Sequence, residues 1–337
     1  METLAFSDLI IDKTKDGTKL PTNDYQKIGS TAIIDQGQEF IAGYTDRSEG
    51  IFTDVPVIIF GDHTRVFKYI DFPFFLGADG VKILKANREV NYRYLYYYFL
   101  QAKFPNTGYA RHFKWLKELQ IPLPPLAEQK HITAILDKTQ KIIAEHKQML
   151  QKYDTLIKSR FIEMFGDNNF QKKKWNEIFI TKTGKLDSNA MVEDGEYPFF
   201  TCAKEVFKID KYAFDQEALL LAGNNAAGKY DVKHYKGKFN AYQRTYVLSL
   251  KEEWEYPLFK YQLEDKLEYL RQQSLGGLTK YLTLKILETL DFIVPPIELQ
   301  KEFSTFVQQI DKSKSAVQKS LEKTETLYKS LMQQYFG

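Results

Sequence analysis

The chain has 337 residues, of which 43% are apolar, so it is long enough for two or three domains with substantial cores. Its only cysteine, Cys202, excludes an intrachain disulfide, and no apolar run reaches the length of a membrane span. Because the first residues show no signal-peptide pattern, we expect a cytoplasmic protein without a membrane partner. The net charge of +3 is too small to indicate a nucleic-acid partner by itself.

Residues 1–123 are predicted to form a first domain of strands and helices. A strand-like run at 57–60 leads into a polar loop, Gly61-Asp62-His63-Thr64-Arg65. After another strand-like run at 81–85, the aromatic segment 92–100 has the faces of a helix packed against a sheet. A glycine turn at 106–108 then opens a second polar loop, which contains Tyr109, Arg111 and His112.

Residues 124–166 are predicted to form one long helix, about 60 Å in length. Pro124-Pro125 ends the preceding segment and can pre-set the first helical turn. Apolar side chains recur every seven residues, as in a coiled coil, at Leu136, Ile143, Leu150, Ile157 and Met164. A second apolar row lies beside the first, at Ile135, Ile142, Met149 and Leu156. This face is wider than a two-helix seam requires, so we expect a partner protein to dock on the second row.

Residues 167–294 are predicted to form a second domain, in which a strand-like run at 218–222 precedes a glycine loop. Gly223, Gly228 and Lys229 match the phosphate-binding pattern G-x-x-x-x-G-K-[ST] up to its last position. That position holds Tyr230, a poor substitute for the Mg²⁺-binding hydroxyl, and the following residues alternate like a strand instead of opening a helix. The pattern therefore favours a strand, a polar loop and a second strand over an ATP site.

The remainder of the second domain follows the plan of the first. Lysines and aromatic residues are interleaved between 229 and 238, a pattern that suits a phosphate backbone or the solvated edge of a hairpin. A strand-like stretch at 245–251, an aromatic amphipathic segment at 256–270 and a glycine turn at 274–277 come next. A second polar loop, 276–280, follows that turn, as in the first domain.

Residues 295–337 are predicted to form a second long helix, and they duplicate the first. The two segments align without a gap over 43 residues, with 13 identical positions, at an offset of 171. Pro124 and Pro295 are one identical pair, and Gln129 and Gln300 are another. In this order of domain, helix, domain and helix, an antiparallel second helix relates the two halves by a pseudo-twofold axis.

The strings IPLPPLAEQKHI, FIEMFGD and FIVPPIELQK, with the long helices and the final SLMQQYFG, resemble the specificity subunit of type I restriction-modification systems. The resemblance covers essentially the whole chain. The second copy departs from the helix signature at Leu299, which stands where the first copy has Glu128.

The resemblance implies a mixed α/β (α+β) fold, with two target-recognition domains joined by two long antiparallel coiled-coil helices. It implies that each domain reads one half of a split sequence in double-stranded DNA, with the helical pair as a spacer. It also implies docking of two DNA-methylation subunits, and of motor-nuclease subunits in the full complex. S-adenosylmethionine and ATP with Mg²⁺ would then bind to those partners, and this chain would hold no cofactor.

The candidate DNA contacts are polar side chains of the loops, including arginines that suit guanine edges and asparagines that suit adenine edges. In the first domain they are Asp62, His63, Arg65, Tyr109, Arg111 and His112. In the second they are Asn224, Asn225, Lys229, Lys233, Lys236, Gln243, Arg244, Gly276 and Lys280. Each has an alternative as an ordinary turn residue or a surface ion pair.

We expect no metal site, because the five histidines are scattered without metal-ligand spacing. We also expect no catalytic residue, because the sequence shows neither a nuclease carboxylate-lysine set nor the Asn/Asp-Pro-Pro-Tyr/Phe motif of adenine methyltransferases. Two other classes of function remain open at this point. One is a nucleotide hydrolase that uses the Gly223 loop, and the other is a structural coiled-coil adaptor without DNA contact.

Overall fold

The computed structural model describes residues 2–77, 80–105, 110–166, 169–226 and 228–337. The chain divides into two compact units. Unit 1 consists of Met1–Lys147 and Lys319–Gly337, and unit 2 consists of Gln148–Gln318. Each long helix therefore contributes one part to each unit.

The strands of unit 1 are short and are connected by loops and brief helices. They are β1 (Glu2–Ala5), β2 (Ile10–Asp12), β3 (Thr31–Ile34), β4 (Gly43–Thr45), β5 (Val57–Gly61), β6 (Phe67–Ile70), β7 (Phe74–Leu76), β8 (Val81–Ala86) and β9 (Gln120–Leu123). The helices are α1 (Phe6–Leu9), α2 (Tyr92–Leu100), α3 (Phe113–Leu116) and the long helix α4 (Leu126–Phe165).

The main sheet of unit 1 is antiparallel, with the strand order β2-β8-β5-β6. A second sheet has the order β4-β3-β7, in which β3 runs parallel to β7 with Ala32 opposite Phe74. β1 pairs with β9 immediately before the start of α4. Strand β5 is buried along its whole length, so it forms the centre of the unit 1 core.

Unit 2 contains the same kinds of element in a similar order. Its strands are β10 (Lys172–Lys174), β11 (Phe179–Thr183), β12 (Tyr197–Phe200), β13 (Phe207–Ile209), β14 (Phe214–Ala222), β15 (Asn224–Ala226), β16 (Val232–Ala241), β17 (Thr245–Leu250), β18 (Thr279–Tyr281) and β19 (Asp291–Ile293). Its helices are α5 (Trp175–Ile178), α6 (Tyr256–Asp265), α7 (Leu267–Gln273), α8 (Leu284–Leu287) and the long helix α9 (Ile297–Phe336).

The sheet of unit 2 repeats the topology of unit 1. Its order is β11-β17-β14-β16-β12-β13, and the first four strands correspond in order and direction to β2-β8-β5-β6. β12 runs parallel to β16, with Phe199 opposite Asn240, as β3 runs parallel to β7 in unit 1. β10 pairs with β19 before α9, as β1 pairs with β9 before α4. The duplication seen in the helices therefore extends to the domains, although their sequences differ.

The aromatic segments form the helices that the sequence predicts. In α2, Tyr94, Tyr97 and Phe99 are buried, and the Asn91 side chain caps the helix by accepting from the backbone N–H of residues 93 and 94. In unit 2 the predicted single segment 256–270 is divided into α6 and α7 at Lys266. The aromatic residues of these segments are thus mainly core residues.

The long helices begin two residues after and end one residue before the predicted bounds of 124–166 and 295–337, and they pack antiparallel within each unit. In unit 1, Gln140 Nε2 on α4 donates to Tyr328 Oη on α9 at 2.9 Å, and Lys147 pairs with a carboxylate of α9 at 2.9 Å. In unit 2, Arg160 on α4 pairs with Glu302 on α9 at 2.6 Å. Leu136 and Ile157 of the seven-residue row are buried in the two cores.

A buried glutamine fastens the start of each long helix to its own unit. In unit 1 the Nε2 of Gln129 donates to the carbonyl oxygen of Pro124 at 2.8 Å, and its Oε1 accepts from the backbone N–H of Asn91 at 2.9 Å. In unit 2 Gln300 repeats both bonds, with the Pro295 carbonyl at 2.8 Å and the backbone N–H just before α6 at 3.1 Å. One amide thus links the prolines, the long helix and the preceding aromatic helix.

Replacing Gln129 with alanine is expected to reduce the free energy of unfolding by about 1–3 kcal/mol, because a buried donor and a buried acceptor lose their partner. Urea denaturation followed by circular dichroism measures this change. Gln151→Ala is the matched control, since Gln151 is exposed on the same helix and its loss should cost at most about 0.5 kcal/mol. Equal denaturation midpoints for the two variants would contradict the proposed importance of the buried amide.

Candidate functional site

In each unit the structure brings together the two polar loops that the sequence singles out. In unit 1 the connection is Asp62, which follows β5. Its Oδ1 accepts from the backbone N–H of Phe113 at 2.7 Å, and its carbonyl oxygen accepts from the backbone N–H of His112 at 2.8 Å. Its own N–H donates to the carbonyl of Gly80 at 2.7 Å. Asp62 therefore holds the loop after β5 against the loop before α3.

The loop between β5 and β6 is a tight turn that presents Arg65 to solvent. Arg65 has φ of +62°, and its N–H donates to the carbonyl of Gly61 at 2.8 Å. The turn rests on Gln36, whose Oε1 accepts from the N–H of His63 at 3.3 Å and whose carbonyl accepts from the hydroxyl of Thr64 at 2.6 Å. Gln36 lies far from this loop in sequence and was not among the predicted site residues.

The predicted contacts of unit 1 differ in accessibility. Asp62 and His112 are buried, and the Nδ1 of His112 contacts the Asp62 carbonyl oxygen at 3.0 Å, so these two side chains support the loops from inside. Arg65 and Arg111 are exposed, and His63 is half-buried. Tyr109 lies outside the described residues.

In unit 2 the two loops form a small antiparallel ribbon. β15 pairs with β18, so that Asn225 lies opposite Lys280 in register. The carbonyl of Gly223 accepts from the backbone N–H of Leu282 at 2.8 Å, which closes the end of the ribbon. The Asn225 Nδ2 donates to the carbonyl of Cys202 at 3.3 Å.

Backbone geometry explains the two glycines of the partial phosphate-binding pattern. A Cβ on Gly223 would lie 2.3 Å from the carbonyl oxygen of Arg244, and Gly228 has φ of +67°. The element that follows Lys229 in the chain is strand β16, where a phosphate-binding loop would be followed by a helix. Tyr230 is buried in the unit 2 core. The loop lies between strands β14 and β16, as predicted, and part of it forms the short strand β15.

The three lysines of the 229–238 segment that are predicted DNA contacts fall into two groups. Lys233 and Lys236 are engaged within the protein, because Lys233 donates to the carbonyl of Ala203 at 2.9 Å and pairs with Asp231, and Lys236 pairs with Glu217 at 2.9 Å. The hydrogen bond to Glu217 raises the pKa of Lys236. Lys229 is exposed and makes no ion pair within the described part of the chain.

Several other predicted DNA contacts also lack an ion pair within the described part of the chain. Within residues 2–77, 80–105, 110–166, 169–226 and 228–337, the side-chain cations without an acidic partner include Arg65, Arg111, Lys229, Arg244 and Lys280. Gln243 is exposed and its Nε2 lies 3.4 Å from a carboxylate oxygen of Asp187, while Gly276, with φ of +98°, shapes the turn before β18. These five cations are therefore among the charges that can meet a polyanion.

The side chains of the predicted docking row on α4 become more exposed along the helix. Ile135 and Ile142 are half-buried, whereas Met149 and Leu156 are exposed. The internal repeat has an offset of 171 residues, so Leu327 on α9 is the counterpart of Leu156 on α4. The two side chains are 45% and 52% exposed. An exposed leucine thus occupies the same repeat position on both long helices.

Among the described residues, no group of histidine, cysteine, aspartate or glutamate side chains has the arrangement of a metal site. None of the helices in the described part of the chain combines the length and the apolar character that a membrane crossing requires.

Comparison with known proteins identifies the family. The model of the type I restriction modification DNA specificity domain matches the chain twice, at residues 10–152 and 167–325. The EcoDI specificity subunit of Escherichia coli is 37% identical over 149 residues, which cover 42% of this chain and 32% of that protein. The EcoR124I/EcoR124II specificity subunit of Escherichia coli is 26% identical over 209 residues, which cover 56% of this chain and 47% of that protein.

These matches span less than half the length of either curated relative. A crystal structure of the S subunit of a type I restriction-modification system from M. genitalium is similar in fold over nearly all of both chains. Its TM-score is 0.71 at 18% identity, and the match covers 98% of this chain and 94% of that chain. The two family matches confirm the internal repeat, and the chain belongs to the type I restriction-modification DNA specificity family, a family of non-catalytic specificity subunits.

Proposed function

We propose that the chain is the DNA-recognition subunit of a type I restriction-modification complex and that each unit reads one half of a split target. The observation that carries this proposal is the convergence of two polar loops in each unit, together with the unpaired cations that these loops present. Family membership supports the same function.

The chemistry of the loops suits double-stranded DNA. Lysines without an acidic partner can neutralise phosphates and release counterions, which favours binding at low salt. Arginine suits the paired acceptors of guanine, and asparagine suits the donor and acceptor of adenine in the major groove. In unit 2 Asn224, Asn225 and Lys280 lie on one two-stranded ribbon, an element that the major groove can admit.

The two units carry different side chains on the same topology, and this difference supports a bipartite target. The turn after β5 in unit 1 presents Arg65, whereas the ribbon of unit 2 presents asparagines and a lysine. A sequence-independent DNA-binding protein would need only cations. We infer that each half-site has its own sequence and that a non-specific gap separates the two.

The catalytic chemistry belongs to partner subunits in this proposal. Two DNA-methylation subunits dock on the long helices and bind S-adenosylmethionine, and motor-nuclease subunits bind ATP with Mg²⁺. The repeated exposed leucine supports two docking sites, because a half-exposed leucine on each long helix gains about half of the roughly 1.5–3 kcal/mol of full burial when a partner covers it. The long helices would also act as a coiled-coil spacer.

The two rival classes have less support. A nucleotide hydrolase of this pattern requires a helix after Lys229 and a serine or threonine at position 230, where the structure has a strand and a buried tyrosine. A purely structural adaptor gives no reason for the unpaired cations at the converging loops. DNA binding that weakens with salt distinguishes the proposed function from that adaptor.

Lys229→Ala is expected to lower the affinity for all duplexes and to reduce the slope of log affinity against log salt by about one, because one phosphate contact is lost. Lys236→Ala is the matched control, since Lys236 already pairs with Glu217 and its removal should change the slope less. Fluorescence anisotropy of the full chain with duplex DNA at several salt concentrations measures both effects.

Equal slopes for Lys229→Ala and the unmodified chain would contradict the phosphate contact. Calorimetry provides a second readout on the same variant, and we expect no heat from ATP with Mg²⁺. Saturable ATP binding that disappears in Lys229→Ala would restore the nucleotide-hydrolase alternative.

Leu156→Asp and Leu327→Asp are each expected to remove one of two bound methylation subunits, because each buries a charge at one docking site. Native mass spectrometry of the co-purified complex measures the stoichiometry, and the double variant should bind none. Ile162→Asp is the matched control, because Ile162 is 56% exposed on the same helix but its repeat counterpart is Gln333. If both single variants keep two partner subunits, the docking surface lies elsewhere.

A further inference from the structure

Leu278 stands out in unit 2 because an apolar side chain is held in solvent. It is 97% exposed, more than any other large apolar side chain in the described part of the chain. Leaving a leucine in water forgoes the stabilisation that burial provides, so a bound partner that covered this side chain would gain apolar contact.

The backbone around Leu278 fixes this exposure. Leu275 and Tyr281 exchange backbone hydrogen bonds of 3.0 and 2.9 Å, which close the turn between them. Gly276 has φ of +98°, and a Cβ there would lie 2.3 Å from the carbonyl oxygen of Thr279. Only glycine permits so tight a turn, and Leu278 therefore lies at the tip of a braced hairpin.

The residues next to this hairpin indicate which kind of molecule would contact Leu278. β18, which follows Leu278 directly, pairs with β15, so the tip continues the ribbon that carries Asn224, Asn225 and Lys280. Lys280 has no acidic partner within the described residues. An isolated apolar group beside amides and a free cation suits a DNA base edge, where the thymine methyl is an apolar feature of the major groove.

We propose that Leu278 contacts the 5-methyl group of a thymine in the half-site read by unit 2. This inference rests on the proposed DNA-recognition function and assigns a specificity-determining residue to it. The contact distinguishes a thymine from the other bases at one position, while the amides of the ribbon read neighbouring base edges.

Uracil, which lacks only the 5-methyl group, provides a direct test. The half-sites are first identified by selecting random duplexes with the full chain, and each thymine is then replaced by uracil in turn. At one position of the unit 2 half-site, uracil should weaken binding by about fourfold, the effect of exposing one methyl group. Leu278→Ala should weaken binding by a similar factor and should be insensitive to uracil at that position.

Two further variants separate this effect from a general loss of stability. Leu278→Met keeps an apolar contact and should retain part of the sensitivity to uracil. Ile28→Ala removes a side chain that is 86% exposed in unit 1, and this variant should respond to uracil as the unmodified chain does.

The inference is overturned if Leu278→Ala keeps the sensitivity to uracil, if no uracil position matters, or if the unit 2 half-site contains no A·T pair. Insertion of Leu278 between base pairs would raise the fluorescence of 2-aminopurine in the duplex without a uracil effect, and this result also overturns the methyl contact. In all of these cases sequence-specific binding persists. Loss of specific binding by the unmodified chain would instead overturn the proposed function and this inference together.

Discussion

The rest of the structure depends on the buried amide at the start of each long helix. Gln129 and Gln300 satisfy a proline carbonyl and a backbone N–H of the preceding aromatic helix at once. Because both ends of the amide are buried, neither bond can be exchanged for water without cost. The long helix therefore begins at a fixed place on its own unit in both repeats, and this explains why the residues around the two proline pairs are so alike.

The loops are free to differ because they do not take part in that junction. In unit 1 a single buried carboxylate, Asp62, holds the two loops together, whereas in unit 2 the strands β15 and β18 do so. The same strand order in the main sheet supports both ways of holding the loops together. Exposed loops on a rigid frame tolerate change in a way that the buried junction does not. A duplicated set of sheets and long helices that carries two different sets of loops follows from this division.

The sequence predicts the long helices and the internal repeat well, but it predicts the candidate DNA-binding site only in part. The proline pairs and the seven-residue row predict the long helices closely, and Tyr230 at the Mg²⁺-ligand position predicts that the glycine loop is not an ATP site. The partners of Lys236 and the burial of His112 could not be predicted, because they depend on Glu217 and Asp62, which are distant in sequence. The exposure of Leu278 has only a weak signal, an apolar residue after two glycines.

The central claim is that each unit reads its own half-site on a common frame, and exchanging one domain tests it most directly. Residues 167–291 are replaced by the corresponding domain of a relative, and the methylated sequences of cells that carry the original or the exchanged chain are determined. The account predicts a bipartite motif in which only one half-site changes. A change in both half-sites, or a single uninterrupted motif, would contradict it.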